Sequence, residues 1–215
     1  MKKIHIPLIH SVSEDTVIEE ITILMDSLPK HHIDNEPWSK LTSNCQTSFS
    51  IAHIGTAILL KYYVNEDVII VSMHHVNDPV HKDNCVEFFI SFGAEKEYYN
   101  IEINCVGICL MGYGYDRVNR KILSKNIINK IRKTIIIKSS VQPASTNFAW
   151  QITLVIPIEV FKYNNLKSLV GKNVRGNFFK CGDELPIPHF LTWNRIYAEN
   201  PDFHLPEFFG QLEFG

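Results

Sequence analysis

Between residues 148 and 156, Phe148, Trp150, Ile152, Leu154 and Ile156 alternate with Ala149, Gln151, Thr153 and Val155. A period of two predicts a half-exposed antiparallel strand with Trp150 on its buried face. Further segments rich in β-branched and aromatic residues follow the same logic: "TAILLKYYV", "VIIVSMHHV", "CVEFFISF", "EYYNIEINCVGICLMGYG", "TIIIKSS", "VRGNFFKCG" and the terminal "GQLEF". Asn, Asp, Gly and Pro separate them, and about eight strands at this spacing predict sheet packed on sheet. In the last of them Leu212 and Phe214 fall on one face and can meet a core.

The period changes near the N-terminus. Val17, Ile18, Ile21, Leu24, Met25 and Leu28 fall on one helical stripe behind Glu14 and Asp15, with Ser13 placed to cap the first turn. In "ILSKNIINKIRK" the spacing of Leu123, Ile127, Ile128 and Ile131 allows one further short helix or turn. The expected fold is therefore all-β, an antiparallel β-sandwich of jelly-roll or immunoglobulin-like type, with a short N-terminal helix and one or two minor helical turns. Residues 1–215 read as one domain without repeat or linker, in which 1–34 form a helical extension packed on the sandwich.

Composition narrows the function. With 215 residues, 45% of them hydrophobic, the chain can bury a full core. Its 21 basic and 23 acidic residues are mixed, so no basic field invites a nucleic acid. No apolar run approaches the ~20 residues that span a bilayer, and the start makes a poor signal peptide. The expectation is a protein without a nucleic-acid or membrane partner, cytoplasmic, or exported if the chain is part of a longer secreted one. Five scattered cysteines without a Cys-x-x-Cys pair suggest buried free thiols.

Three clusters could carry chemistry. In "MHHVNDPVHKDNCVEFF" His74, His75, Asp78, His81, Asp83 and Glu87 could ligate a metal, although the spacing is unspecific and no calcium loop is present. The same carboxylates could serve a glycosidase as acid and base. Turn formation by the aspartates is the commoner role. In "NFFKCGDELPIPHFLTWNRIYAENPDFHLPEFFG" the rings Phe190, Trp193, Tyr197, Phe203 and His204 stand among prolines and amides. Pro201 and Pro206 place Phe203 and His204 on a stiff loop, where rings could offer apolar contact while Asn194, Glu199 and Asn200 supply directed hydrogen bonds. Such rings could equally cover the end of the core. In the third cluster Asn100, Glu102 and Asn104 form a polar face, expected to meet solvent rather than to floor a site, and "GYGYDR" reads as a turn.

Together "DPVHKDNCVEFFISF", "YYNIEINCVG", "WQITLVIPIEVF", "RGNFFKCGD" and "FHLPEFFGQLEF" resemble carbohydrate-binding module family 9, in particular its stand-alone bacterial family 9-like group, over roughly residues 35 to 214. The resemblance implies an antiparallel β-sandwich that grips a terminal sugar between two tryptophans. It places Glu87 at the hydroxyl-binding glutamate, Asn200 at a hydroxyl-binding asparagine, His81 where the first tryptophan stands and Phe203 where the second stands. The family's binding arginine finds no counterpart, and calcium, structural in some relatives, is implied without assignable ligands; no other cofactor is expected.

The expected function is non-catalytic binding of a mono- or oligosaccharide in polysaccharide catabolism, through His81, Glu87, Asn200 and Phe203, with Trp193 and His204 nearby. The alternatives are a glycoside hydrolase using Asp78, Asp83 or Glu87, and a sandwich that binds a non-sugar small molecule, such as a heme at His81 or Met73.

Overall fold

The computed structural model describes residues 1–38, 44–93, 96–142 and 145–215. Among these, strands run in chain order as β1 (Lys3–Ile6), β2 (His31–Ile33), β3 (Gln46–His53), β4 (Ala57–Glu66), β5 (Cys85–Ser91), β6 (Tyr98–Asn104), β7 (Cys109–Gly114), β8 (Arg120–Ile122), β9 (Arg132–Gln142), β10 (Ser145–Pro157), β11 (Asn173–Gly182), β12 (His189–Thr192) and β13 (Gly210–Phe214). Two helices, α1 (Ile18–Asp26) and α2 (Lys125–Ile128), and three short 3₁₀ turns complete them.

The strands form two stacked sheets. One has eight strands in the order β1-β13-β11-β5-β6-β7-β8, with β12 continuing along the β11 edge; the other has five, β2-β3-β4-β10-β9. Pairing is antiparallel except between β1 and β13, which run parallel from Lys3–Gln211 to Ile6–Phe214. Alternation then assigns the faces. Phe88, Ile90, Ile101, Phe178 and Leu212 point inward from the large sheet to meet Phe49, Tyr62, Trp150, Ile152 and Leu154 from the small one. Phe178 stacks between Phe49 (3.7 Å) and Phe88 (4.8 Å), and Trp193 abuts both Phe49 and Phe178 edge-on. The backbone of Gly210 runs so close to Trp193 that a Cβ there would lie 2.3 Å from the indole, so the entry to β13 requires glycine.

The expected sandwich is present, and three local expectations change. The helix starts at Ile18 rather than beside Ser13, whose N–H and carbonyl are used in a turn with Thr16. Ile21 and Met25 cover Ala52, Ala57, Leu59 and Val155 on the outer face of the small sheet, and burying such side chains contributes about 1.5–3 kcal/mol each. Residues 1–34 do more than add a helix, because β1 and β2 extend both sheets.

The segment "VIIVSMHHV" is not a strand. Side chains supply the hydrogen bonds that a neighbouring strand would. Asn84 Oδ1 accepts from Ile70 N–H, its Nδ2 donates to the Val68 carbonyl, and the Asp83 carboxylate accepts from the N–H groups of Ser72 and Met73. Conversely β3 is a strand although Gln, Thr and Ser weaken its apolar pattern, because β4 pairs with it over eight residues. No helix among the described residues is long and apolar enough to cross a membrane.

A cleft on the outer face of the large sheet

Residues of β5, β6 and β11 that alternate with the core set point to the outer face of the eight-stranded sheet. There Cys85, Glu87 and Phe89 stand beside Tyr98, Asn100 and Glu102 on one side and Phe179 and Cys181 on the other. The loop before β13 roofs part of this face: Ile196, Phe203 and Phe209 pack on Phe89, Tyr98 and Phe179. Beside that roof the face stays open as a cleft of about 310 Å³, at the small end of the ~300–1,000 Å³ of small-molecule pockets.

Four of the six expected residues line it: His81, Glu87, Phe203 and His204. Loops far apart in sequence thus meet at one site. Trp193 does not join them; it is 3% exposed and belongs to the core, because its indole is needed between the two sheets at Gly210. Asn200 is exposed and outside the lining, while its neighbours Pro201 and Asp202 are part of it. The lining adds Asn100, Glu102, Arg117, Arg120, Cys181, Asp183 and Phe190. The polar face of β6 is therefore the floor of the site rather than a surface in water: Asn100 and Glu102 are buried. The "GYGYDR" hairpin does more than turn, since the β7–β8 connection carries Arg117 to the cleft, and Arg120, the first residue of β8, also lines it.

The wall is aromatic. Phe203 lies flat on Phe179 at 4.2 Å and 11°, with Phe190 edge-on to it at 6.2 Å. Trp38 packs behind both and is anchored by its Nε1–H on the Ala198 carbonyl.

A hydrogen-bonded chain runs along the floor. Arg120 Nε donates to Asn100 Oδ1 at 2.9 Å, Asn100 Nδ2 donates to Glu102 Oε1 at 2.6 Å, and Glu102 Oε2 faces His81 Nδ1 at 3.5 Å, an ion pair rather than a hydrogen bond. Gly112 makes room for this chain, as a Cβ there would fall 2.6 Å from Asn100 Oδ1. Arg120 is further fixed over the Tyr98 ring at 4.4 Å and on the Tyr98 and Asp116 carbonyls. Tyr98 Oη and His204 Nδ1 share a hydrogen bond of 2.9 Å.

Electrostatics separates the groups. The contact with Glu102 raises the His81 pKa above its ordinary value, against the effect of burial. Burial lowers His204 to about 4, so it is neutral near neutral pH. Burial, with Cys181 and Glu102 beside it, pushes Glu87 well above the usual carboxylate range, and the Cys181 thiol donates to Glu87 Oε1 at 3.1 Å. The Glu87 carboxyl therefore favours its protonated form more than an exposed glutamate does. The cleft offers apolar rings beside both donors and acceptors.

The metal expectations fare differently. The loop cluster does not converge: Asp78 accepts the N–H groups of His74 and His75, and Asp83 those of Ser72 and Met73. Among the described residues two triads bring ligand atoms together, Cys45–Glu66–His189 and Cys85–Glu87–Cys181. Each has one carboxylate, so neither provides calcium with its 6–8 oxygens.

The sequence model of Carbohydrate-binding family 9 matches residues 18–214. A crystal structure of a "putative carbohydrate-binding protein" from Bacteroides uniformis is 33% identical, with a TM-score of 0.90, covering 100% of this chain and 99% of that one. A carbohydrate binding module family 9 from Caldicellulosiruptor kristjanssonii in complex with glucose matches at 12% identity and a TM-score of 0.53, covering 100% of this chain and 96% of that one. The same organism's module in complex with cellotriose matches at 11% and 0.54, covering 99% and 93%. At that identity the likeness is one of fold. No curated protein matches the chain.

Proposed function

The chain belongs to Carbohydrate-binding family 9, and from that premise we infer that the outer cleft binds a mono- or oligosaccharide, as a binding module of polysaccharide catabolism that does no chemistry on its ligand. The observation that carries this reading is the meeting of the His81 and Phe203 loops over the Glu87 strand in one small cleft. A pyranose has hydroxyls around its edge and C–H groups on its faces. Phe203 and Phe190 suit the faces; Glu87, Glu102, His81, Arg117 and Asp183 suit the hydroxyls. Arg120, held by Asn100, Asp116 and Tyr98, adds a fixed guanidinium to the lining beside Arg117. Asp78 and Asp83, two of the three carboxylates a hydrolase was expected to use, are already engaged by backbone N–H groups, which supports binding over hydrolysis.

Titration calorimetry tests this, beginning with glucose and cellotriose and extending to a panel of free sugars. Binding heat is expected, and Phe203→Ala and Glu87→Gln should each weaken it about tenfold, or ~1.4 kcal/mol. Asn200→Ala, outside the lining, should do less. A folded protein that gives no heat with any sugar refutes the reading.

A further inference from the structure

The two triads of potential metal ligands are alike in composition and unlike in charge. In each, the ligand atoms lie within 4.8 Å of one another. At Cys45, Glu66 and His189 the chain supplies its own cation: Lys180 Nζ is 3.0 Å from Glu66 Oε2 and 2.8 Å from His189 Nε2. At Cys85, Glu87 and Cys181 no ion pair to a cation is present among the described residues: the nearby Lys180 ammonium, which donates to the Cys181 carbonyl, is spent on Glu66 and His189. Cys85 faces Cys181 across β5 and β11, and Glu87 faces Glu102 across β5 and β6, so two thiols and two carboxyls share one patch of sheet. Among the described residues Glu87 has no ion-pair partner; its side-chain contact is the Cys181 thiol. Glu102, 5% exposed, has an Oε2 that accepts no hydrogen bond. Cys181 and Glu87 line the cleft, which gives an ion a route in, while Cys85 closes the patch from behind.

We propose that Cys85, Cys181 and Glu87 form a site for one thiophilic divalent cation of the zinc class, with its fourth coordination position opening into the cleft. Two sulfurs and one carboxylate oxygen match the ligand preference of such an ion. Bond lengths of ~2.3 Å to sulfur and ~2.0–2.2 Å to oxygen in a tetrahedron put ligand atoms roughly 3.5–4 Å apart, so the observed spacing needs only small side-chain adjustments. The ion replaces the two thiol protons and the carboxyl proton, which pass to solvent, and the resulting thiolates and carboxylate carry the compensating charge. Three protein ligands and an open position make the ion accessible to a ligand oxygen in the cleft.

The test uses the full chain, reduced and stripped with chelator, and needs no sugar, so it stands apart from the saccharide reading. Equilibrium dialysis against zinc and cadmium ions with elemental analysis should give one equivalent, and cadmium should produce a thiolate charge-transfer band in the ultraviolet. Cys181→Ser should remove the band and weaken binding at least tenfold; Cys85→Ser serves the same comparison should the first variant fail to fold. Cys45→Ser, at the other triad, should leave band and stoichiometry intact. Absence of a bound equivalent overturns the proposal, as does a band that survives in either serine variant at β5 or β11 or depends on Cys45.

Discussion

Glu102 carries the site's chemistry at the residue scale, since one carboxyl group joins the Arg120–Asn100 chain to His81. Because the folded-state pKa of His81 is raised from 6.5, its ion pair is fully present below about that pH and fades as pH rises through the raised value. A proton NMR titration should place the His81 midpoint above 6.5, and Glu102→Gln should bring it down to that value or lower. A midpoint unmoved by the substitution would mean that Glu102 is not the cause. His204 behaves in the opposite sense. Lowered to about 4, it stays neutral in the fold while the unfolded chain takes up a proton, so its share of stability is lost as pH falls from 6.5.

At the scale of elements, two side chains do the work of a strand. Asp83, 1% exposed, accepts from Ser72 and Met73 N–H and from Asn104 Nδ2. Asp83→Ala leaves these donors without a partner, and the unfolding free energy should fall by about 2–4 kcal/mol in a denaturant titration. A second joint lies under α1. Lys61, wholly buried on β4, reaches Asp26 Oδ1 at 2.5 Å and the Thr22 carbonyl at 3.3 Å. Asp26→Ala should cost ~1–3 kcal/mol by leaving a buried ammonium short of its anion, and Lys61→Met in the same chain should recover part of the loss. If the double variant is no more stable than the single one, the pair is not what holds the helix.

Across the whole molecule, a buried polar network ties the sheets together. Glu66 at the end of β4 meets Lys180 of β11 and His189 of β12, and accepts from Trp150 Nε1 of β10. Removing one partner leaves the other charged and buried, so Lys180→Met should destabilise by about 3–5 kcal/mol, and adding Glu66→Gln, which keeps an acceptor for Trp150, should restore much of it. His189 extends the acid sensitivity of the fold. Burial and the adjacent Lys180 lower it to about 4, and each unit of that shift is worth about 1.4 kcal/mol. Thermal unfolding should therefore show a melting temperature that drops between pH 6.5 and 4, less steeply in His189→Gln. Equal slopes in the two proteins would remove His189 from the account.

Sequence alone determined what depends on neighbours along the chain. The period of two over 148–156 specified a strand with Trp150 inward, and the alternation at 210–214 put Leu212 and Phe214 in the core. That Glu87 and Phe203 share a site was implied by the family resemblance rather than by any local pattern, and both line the cleft. Only the tertiary structure decided which face of β6 meets water, that Trp193 fills the core while Phe203 forms a wall, and that Arg117 and Arg120 reach the cleft. The physical reason is that a strand's pattern shows which residues share a face but not what covers that face. Here the cover comes from the loop before β13, more than ninety residues downstream of β6.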